Sequence, residues 1–223
     1  MSNVVAIVEG RTEQTFVREH LAAYLGVRGV YIVALQRGGV KPWKSIRNDI
    51  LETLQEWHGK CVCTTMYDFY AMPTDWPGRA AAADMPQDQK GNHVEQALLD
   101  DLAAHAGADF RRELFIPYVQ VHEFEAILFA GVPTMAATLA KVSRKSATDL
   151  NNAFQAILDE SGQAEAINDS YDTCPSRRIK GLVRAYRKHA YGPTIAGQIG
   201  MDTIRVACPH FGQWLGRLEA LGA

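Results

Sequence analysis

Five acidic residues stand where predicted β-strands end, a position from which their side chains can share a metal ion. Glu9 directly follows the first apolar run, and Glu13 lies in the first turn of the helix predicted after it. Asp68 ends a later strand candidate, and Glu123 and Glu125 follow another. Because the ligands of open parallel sheets bind beyond the carboxyl ends of the strands, this placement predicts one acidic edge.

Carboxylates gathered at one edge need a counter-ion, since their repulsion would otherwise raise their pKa values or destabilise the fold. Mg²⁺ prefers a few carboxylates plus water and leaves coordination positions for phosphate oxygens. Mn²⁺ takes similar oxygen ligands. Two such ions about 4 Å apart can activate a water and stabilise the leaving oxygen of a phosphodiester. The acidic edge therefore predicts a site for Mg²⁺ or Mn²⁺.

Each of these acids also has a purely structural interpretation, and the sequence leaves both interpretations open. Glu9 can solvate the turn that it begins, Glu13 can complement the helix dipole, and Asp68 can cap a loop or a helix. Glu123 and Glu125 would point roughly 200° apart on an ideal helix. Both therefore reach one ion only if they lie in the turn between strand and helix.

The elements that must position these acids alternate between strand and helix over the first 130 residues. Four short apolar runs have the pattern of strands buried on both faces. They are Asn3–Val8, Val30–Leu35, Lys60–Tyr67 and Leu114–Val121. Helical spacing of apolar residues fills the intervals, most clearly at Trp43–Trp57 and Val94–His105. Such alternation predicts an α/β fold with a parallel sheet flanked by helices.

The strand pattern fades near Pro133, and helical patterns replace it at Ala147–Leu158, Arg177–Lys188 and Phe211–Leu221. We therefore predict an α/β domain over residues 1–132 and a helical, basic extension over residues 133–223. The chain carries 12 basic and 17 acidic residues up to position 140, but 11 basic and 8 acidic residues after it. This asymmetry suits a metal site that faces a polyanion, although a difference of this size also arises by chance.

Composition excludes several classes of protein. With 47% hydrophobic and 22% charged residues in 223 positions, the chain has enough apolar area to fold as a globular protein. Its apolar runs are far shorter than the roughly 20 residues that a membrane span needs. The N-terminus has no secretion signal, and the four cysteines form no C-x-x-C pair. We expect a cytoplasmic protein with reduced thiols and no membrane partner.

The extension contains a cluster of basic residues that suits contact with phosphates. If the segment is one helix, Arg177, Lys180, Arg184 and Lys188 share a stripe, and Arg178 lies next to it. Such a stripe would bind a nucleic-acid backbone with little sequence preference and strong salt dependence. A solvated helix face, or a surface that docks on an acidic partner protein, explains the same pattern.

Four motifs, taken in order, resemble one family of toprim-like proteins. They are Val8-Glu9-Gly10-Arg11-Thr12-Glu13, Tyr67-Asp68-Phe69-Tyr70, Gln120-Val121-His122-Glu123-Phe124-Glu125-Ala126 and Ala207-Cys208-Pro209-His210-Phe211. The first is similar to the E-G-x-[ST]-E opening of toprim domains in the overcoming-lysogenization-defect nucleases. Together, over nearly the whole chain, the motifs resemble the bacterial domain of unknown function 4276.

The resemblance implies a toprim fold, a small parallel sheet between helices. Such domains typically use a glutamate after the first strand and a D-x-D pair after a later one. By this resemblance Glu9 matches the first glutamate, Glu13 the second glutamate of the nuclease branch, and Asp68 the first aspartate. Tyr70 occupies the position of the second aspartate, which leaves the number of metals and the activity open. Asp75, further along the loop, is a candidate replacement.

These inferences predict a nuclease that uses Mg²⁺ or Mn²⁺ to cleave the phosphodiester bonds of nucleic acid. DNA is expected before RNA, although the sequence does not choose between them. Glu9, Asp68 and Glu123 are the expected catalytic residues, and Glu13 and Glu125 are expected to bind metal with them. The resemblance also implies a role in bacterial defence against phage, with an ATPase as partner protein. The chain itself has no G-K-[ST] after its glycine pair and should not hydrolyse ATP.

Two other functions remain open at this point. The first is a non-catalytic binding or regulatory subunit on a toprim scaffold, which Tyr70 in place of an aspartate favours. The second is a phosphoryl-transfer enzyme that acts on small phosphate esters. Arg11 and Lys90 are further candidates for contact with phosphate in any of these cases.

Overall fold

The computed structural model describes residues 2–167 and 173–223, which form two compact units. The first unit comprises the chain up to Val121 together with Trp214–Ala223, and the second comprises His122–Gln213. The C-terminal end of the chain therefore returns to the first unit. The chain divides between Val121 and His122, whereas the sequence pattern places the boundary between residues 132 and 133. The reason is that the apolar segment Phe124–Gly131 packs on helices of the second unit.

A parallel β-sheet forms the centre of the first unit. Its strands are β1 (Ser2–Val8), β2 (Val30–Gln36), β3 (Cys61–Asp68), β4 (Phe115–Ile116) and β5 (Val119–Gln120). They lie in the order β2-β1-β3-β4, and β5 also pairs with β3. Every residue of β3 is buried, as expected for a strand covered on both faces. The predicted parallel sheet is confirmed.

The fourth predicted strand is interrupted at Pro117. Cys63 pairs with Phe115 before the interruption and Tyr67 pairs with Val119 after it, so the register is the same on both sides. Proline has no N–H for the ladder. The hydroxyl of Thr65 fills the gap, because it accepts from the backbone N–H of Tyr118 at 3.0 Å and donates to its carbonyl at 3.1 Å.

Helices cover the sheet on both faces. A helical segment follows β1 as α1 (Arg11–Phe16), a π-helical turn (Val17–Leu21) and α2 (Ala22–Gly26). Helices α3 (Trp43–Glu56) and α4 (Gln87–Ala106) pack their apolar sides with one face of β1 and β3 in a single core. On the other face the indole of Trp214 stacks on Tyr118, with ring centroids 4.4 Å apart, and donates to Thr64.

The regular elements that the structure describes in the second unit are helices. A 3₁₀ helix (Phe124–Gly131) leads into α5 (Val132–Ala140), α6 (Ala147–Ser161), α7 (Pro175–Leu182), α8 (Lys188–Ile199) and α9 (Met201–Ala207), and α10 (Pro209–Glu219) begins in this unit and ends in the first. The start of α10 is held by the buried Glu165, whose carboxylate accepts from the backbone N–H groups of His210 and Phe211, each at 2.9 Å. The predicted C-terminal helical extension is confirmed. None of the helices within the described ranges is both long and apolar enough to cross a membrane.

Candidate functional site

Glu9 and Asp68 meet at the carboxyl ends of the two central strands. The register places Val8 opposite Met66, and the backbone N–H of Glu9 continues this ladder by donating to the Met66 carbonyl at 3.1 Å. The backbone N–H of Asp68 in turn donates to Oε2 of Glu9 at 3.1 Å. The carboxylate of Glu9 is therefore fixed against the residue that carries the second acid, as the strand pattern predicts.

Glu13 reaches the same edge from the first turn of α1. Its side chain is almost fully buried, and a Cβ added at Gly10 would lie 3.1 Å from its Oε2. The carboxylate of Glu13 thus folds back over the turn that follows Glu9, and the absence of a side chain at Gly10 leaves room for it. The structure brings Glu9, Glu13 and Asp68 together in the first unit.

Tyr67, which precedes Asp68, places its hydroxyl among these charges. The side chain is completely buried, and within the described residues its hydroxyl has no hydrogen-bond partner. Burial raises the pKa of Tyr67 well above its ordinary value, and the negative charges of Glu9, Asp49 and Glu13 raise it further. The phenol therefore keeps its proton near neutral pH and remains a donor.

Arg37 and Asp49 form an incomplete ion pair near this hydroxyl. Arg37 directly follows β2, and its Nε lies 4.0 Å from Oδ1 of Asp49, a residue of α3. Nε of Arg37 and Oδ2 of Asp49 are both buried, and neither has a hydrogen-bond partner among the described residues. The sequence pattern does not predict these residues or Tyr67. The one available signal was the place of Arg37 at the end of a strand, the same signal that identifies Glu9.

Two cations surround Phe69, the residue after Asp68. The guanidinium of Arg79 lies 4.0 Å from the centroid of the Phe69 ring, and its Nε donates to the Phe69 carbonyl at 2.9 Å. Lys90 is buried, with Nζ 5.5 Å from the same ring and a hydrogen bond to the Ala83 carbonyl. Burial lowers the pKa of Arg79. Of the two phosphate contacts expected from sequence, Lys90 is thus engaged with the protein, while Arg11 is exposed at the start of α1.

The position of the missing second aspartate holds an aromatic ring. Tyr70 is 44% exposed and packs edge-on against Phe69. Asp75, the candidate replacement, has another use, because its Oδ2 accepts from the backbone N–H of Trp43 at 3.0 Å. This contact caps the first turn of α3 in the manner of an N-cap residue.

The donor atoms at the acidic edge suit a hard divalent cation. Glu9, Glu13 and Asp68 offer only carboxylate oxygens, the ligands that Mg²⁺ and Mn²⁺ prefer. Within residues 2–167 and 173–223, no group of three or more His, Cys, Asp or Glu side chains has the spacing of a complete metal site. The edge therefore fits an ion that keeps several waters and uses one or two carboxylates, which is the ordinary behaviour of Mg²⁺.

Glu123 and Glu125 belong to the second unit, where both have partners. The two carboxylate oxygens of Glu123 accept from the backbone N–H and the hydroxyl of Ser176, at 2.9 and 3.1 Å. Glu125 is completely buried, accepts from the Tyr186 hydroxyl at 3.1 Å and lies 3.2 Å from Nζ of Lys188. Their assignment as metal ligands stays a prediction, and the structure gives both of them structural contacts.

The prediction of one helix over Arg177–Lys188 is wrong. Helix α7 ends at Leu182, Val183 adopts an extended backbone, and α8 begins at Lys188. Gly181 weakens the last turn of α7, and the chain then turns Tyr186 into the interior, where its hydroxyl meets Glu125. The expected basic stripe is therefore divided between two helices and the turn that joins them.

The predicted phosphate-binding residues differ in their surroundings. Arg178 pairs with Glu160 at 2.7 Å, whereas Arg177, Lys180 and Arg184 are exposed. Arg184 also lines a cavity of about 570 Å³ in the second unit, together with Arg144 and Lys145. The last two cations were not predicted, because they lie 32 or more positions from the cluster in sequence. The exposed cations can bind phosphates of a polyanion.

Comparisons with known proteins agree with this architecture. The family described as Domain of unknown function (DUF4276) matches residues 8–219. The solved C-terminal region of the Burkholderia pseudomallei OLD protein is 18% identical, with a TM-score of 0.52 over 99% of this chain and 98% of the other. The corresponding region from Xanthomonas campestris pv. campestris is 17% identical, with a TM-score of 0.50 over 100% and 97%. At these identities the likeness concerns the fold. No curated protein sequence matches the chain.

Proposed function

The chain belongs to the family described as Domain of unknown function (DUF4276) and has a toprim-like fold, and from this premise we propose its function. We propose that the protein is a metal-dependent nuclease of the toprim type, which hydrolyses phosphodiester bonds of nucleic acid with Mg²⁺ or Mn²⁺. One observation carries the proposal. The carboxylate of Glu9 is fixed by the backbone of Asp68 at the carboxyl ends of β1 and β3.

The topology makes this edge a favoured place for a ligand. From β1 the chain crosses to β2 on one side, and β3 lies on the other, so the sheet changes direction between β1 and β3. Open α/β sheets bind their ligands outside the carboxyl ends of the strands at such a point. Glu9 and Asp68 lie at the two sides of this point.

The bound ion would polarise the phosphodiester and activate a water for attack. Glu9 and Asp68 would hold it, with the Glu9 carboxylate oriented by the Asp68 backbone N–H. Glu13, at the start of α1, would add negative charge beside these two ligands. Glu13 and Asp68 are 3% and 5% exposed, so their charges act through a medium of lower dielectric constant than water.

The substrate would be bound through its phosphates by exposed cations of the second unit. Arg177, Lys180 and Arg184 would contact phosphates, with Arg144 and Lys145 beside Arg184. Such contacts read charge rather than base identity. We propose DNA rather than RNA as the substrate, and a role in the cytoplasm in defence against phage with a separate ATPase as partner. The toprim resemblance supports that role, and the lack of a P-loop motif supports a separate ATPase.

A cleavage assay tests the proposal. The purified protein is incubated with DNA or RNA in Mg²⁺, in Mn²⁺ or in a chelator, beside Glu9→Gln and Asp68→Asn. We expect metal-dependent cleavage that falls by at least about 100-fold in both variants, since each removes charge stabilisation at the reacting centre. Glu19→Gln, an exposed acid after α1, is the matched control. Equal cleavage by the wild type and both variants would assign the activity to a contaminant.

A second candidate function is a non-catalytic binding or regulatory subunit. It is favoured by Tyr70 in place of an aspartate and by the engagement of Asp75 in the cap of α3. Titration calorimetry with Mn²⁺ separates the two candidates. If no heat of binding is detected up to millimolar Mn²⁺ and the protein still binds nucleic acid or a partner, the regulatory function is favoured.

A further inference from the structure

Buried polar atoms without partners collect beside the acidic edge. Within the described residues, the Tyr67 hydroxyl, Nε of Arg37 and Oδ2 of Asp49 all lack a hydrogen bond. A buried donor or acceptor that is left unpaired is costly, and native structures contain few of them. Three in one neighbourhood therefore indicate that these groups have a use that the folded chain alone does not satisfy.

The three groups are complementary to one another. Asp49 offers an acceptor, and Arg37 and Tyr67 offer donors. Nε of Arg37 is 4.0 Å from Oδ1 of Asp49, longer than a hydrogen bond by about 1 Å. A movement of about 1 Å would therefore complete the hydrogen bond between Arg37 and Asp49.

Arg37 is the most accessible of the three residues. Its side chain is 39% exposed although Nε is buried, whereas the Asp49 side chain is 20% exposed and Tyr67 is fully buried. Arg37 follows Gln36, which pairs with Val8 in the register of β1 and β2, so Arg37 stands next to Glu9 at the carboxyl ends of the strands. The planar guanidinium matches the geometry of phosphate oxygens.

We propose that Arg37 binds a phosphate group of the nucleic-acid backbone beside the acidic edge, and that Asp49 and Tyr67 are its positioning residues. The inference rests on the proposed function, because that function brings a phosphodiester to this edge. Phosphate contact pulls the guanidinium into place, Asp49 then accepts from Nε, and Tyr67 donates to the free oxygen of Asp49. A cation at this position also offsets the repulsion between the acids and a polyanion.

Binding of a fluorescent single-stranded DNA, measured by anisotropy across a salt series, tests Arg37 without any need for cleavage. We expect Arg37→Gln to weaken binding about tenfold to a hundredfold, the equivalent of one charge-assisted hydrogen-bond contact. The slope of log K against log salt should fall by about 0.7, the loss of one phosphate contact on a single strand. Arg37→Lys should restore part of the slope but not the full affinity. Arg18→Gln, an exposed arginine of the same unit, is the matched control.

Tyr67→Phe tests the positioning part. Because the variant removes an unpartnered buried hydroxyl, we expect a melting temperature equal to or above that of the wild type. DNA binding should nevertheless weaken by about threefold to tenfold, the net value of one hydrogen bond. Tyr31→Phe, half-exposed on β2, is the control. A lower melting temperature, or unchanged DNA binding, would overturn the role of Tyr67.

The design separates this inference from the proposed function. If the wild type binds DNA but cleaves none in Mn²⁺, the nuclease proposal fails. The salt slope of Arg37→Gln then still shows whether Arg37 binds a phosphate. If the wild type cleaves DNA and Arg37→Gln binds DNA with the same affinity and salt slope, the phosphate contact of Arg37 is refuted and the nuclease proposal is not. Mn²⁺ affinity measured by calorimetry should stay within about twofold in Arg37→Gln, and a larger loss would show damage to the acidic edge instead.

Discussion

Neutralising Asp68 is expected to make the metal-free protein more stable and to remove its stabilisation by metal. Asp68 is buried at the end of β3, where its N–H binds the carboxylate of Glu9, and Glu13 shares the edge. At an effective dielectric constant of about 20, two like charges about 6 Å apart repel by about 3 kcal/mol. Allowing for the solvent at the edge, Asp68→Asn should gain about 1–2 kcal/mol in free energy of unfolding without metal.

Thermal unfolding in a chelator and in Mn²⁺ measures this effect. An ion that binds only the folded state at about 100 times its Kd adds about 2.7 kcal/mol to the free energy of unfolding. For a chain of this size that corresponds to a rise of about 5–10 °C in Tm. Asp68→Asn should start higher in the chelator and gain less than about 1 kcal/mol from Mn²⁺, so the wild type should gain at least about 1.7 kcal/mol more from the metal than the variant.

Asp109→Asn provides the control, since Asp109 is an exposed acid of the same unit. It should change neither the Tm in chelator nor the gain from Mn²⁺. The contrary result is a variant Asp68→Asn that is less stable than the wild type in chelator and gains as much stability from Mn²⁺ as the wild type does. That result would mean that Asp68 serves the fold through its own contacts and that the ion binds elsewhere.

Three further predictions concern the fold. Glu165→Gln should lower the free energy of unfolding by about 1–3 kcal/mol in urea titrations, because the amide keeps only one acceptor for the two backbone N–H groups at the start of α10. Gly131→Ala should cost about 1–3 kcal/mol in the same assay, because its Cβ would lie 2.5 Å from Cγ1 of Ile199. Cys208 should resist a thiol reagent at about pH 8 until denaturant is added, because burial raises its pKa and leaves almost no thiolate.

Matched substitutions separate these effects from general perturbation. Glu113→Gln removes an exposed acid and should leave the urea midpoint unchanged. Gly26→Ala adds a methyl group where no heavy atom lies within 4 Å, and should be neutral or stabilising. Ile199→Ala, which removes Cγ1, should cost less stability in the Gly131→Ala background than in the wild type, whereas an equal cost would point to a cause other than the steric contact. Rapid modification of Cys208 in the native protein would show that α10 opens readily.

The strand predictions were confirmed, and Glu9 and Asp68 meet at one edge, because local pattern decides both. Continuous apolar runs such as Val4–Val8 can be satisfied only inside a covered sheet. Once the strands are parallel, their carboxyl ends share an edge. Glu9, which follows β1, and Asp68, which ends β3, must therefore approach each other. The interruption of the fourth strand also had a local signal, because Pro117 cannot complete the ladder.

The remaining features depend on tertiary contacts that have no local signature. Tyr67 has the pattern of an ordinary core residue of β3, and only the folded chain shows its hydroxyl beside Glu9 and Asp49. The break between α7 and α8 follows from the burial of Tyr186 against Glu125, a partner 61 positions away. Trp214 returns to the first unit by binding Thr64, which lies 150 positions earlier.

The distribution of unfavourable contacts within the first unit itself argues for a ligand at the acidic edge. A protein selected for stability alone would replace Tyr67 by phenylalanine, which keeps the tilted ring contact with Trp76 without an unpaired hydroxyl. It would also avoid Asp68 and Glu13 as buried neighbours at one sheet edge. Elsewhere in this unit buried polar groups such as Thr64 and Glu95 have partners. Costs of this kind at one edge, where the buried Nε2 of Gln120 opposite Asp68 also lacks a partner among the described residues, are characteristic of sites whose missing partners arrive with the substrate.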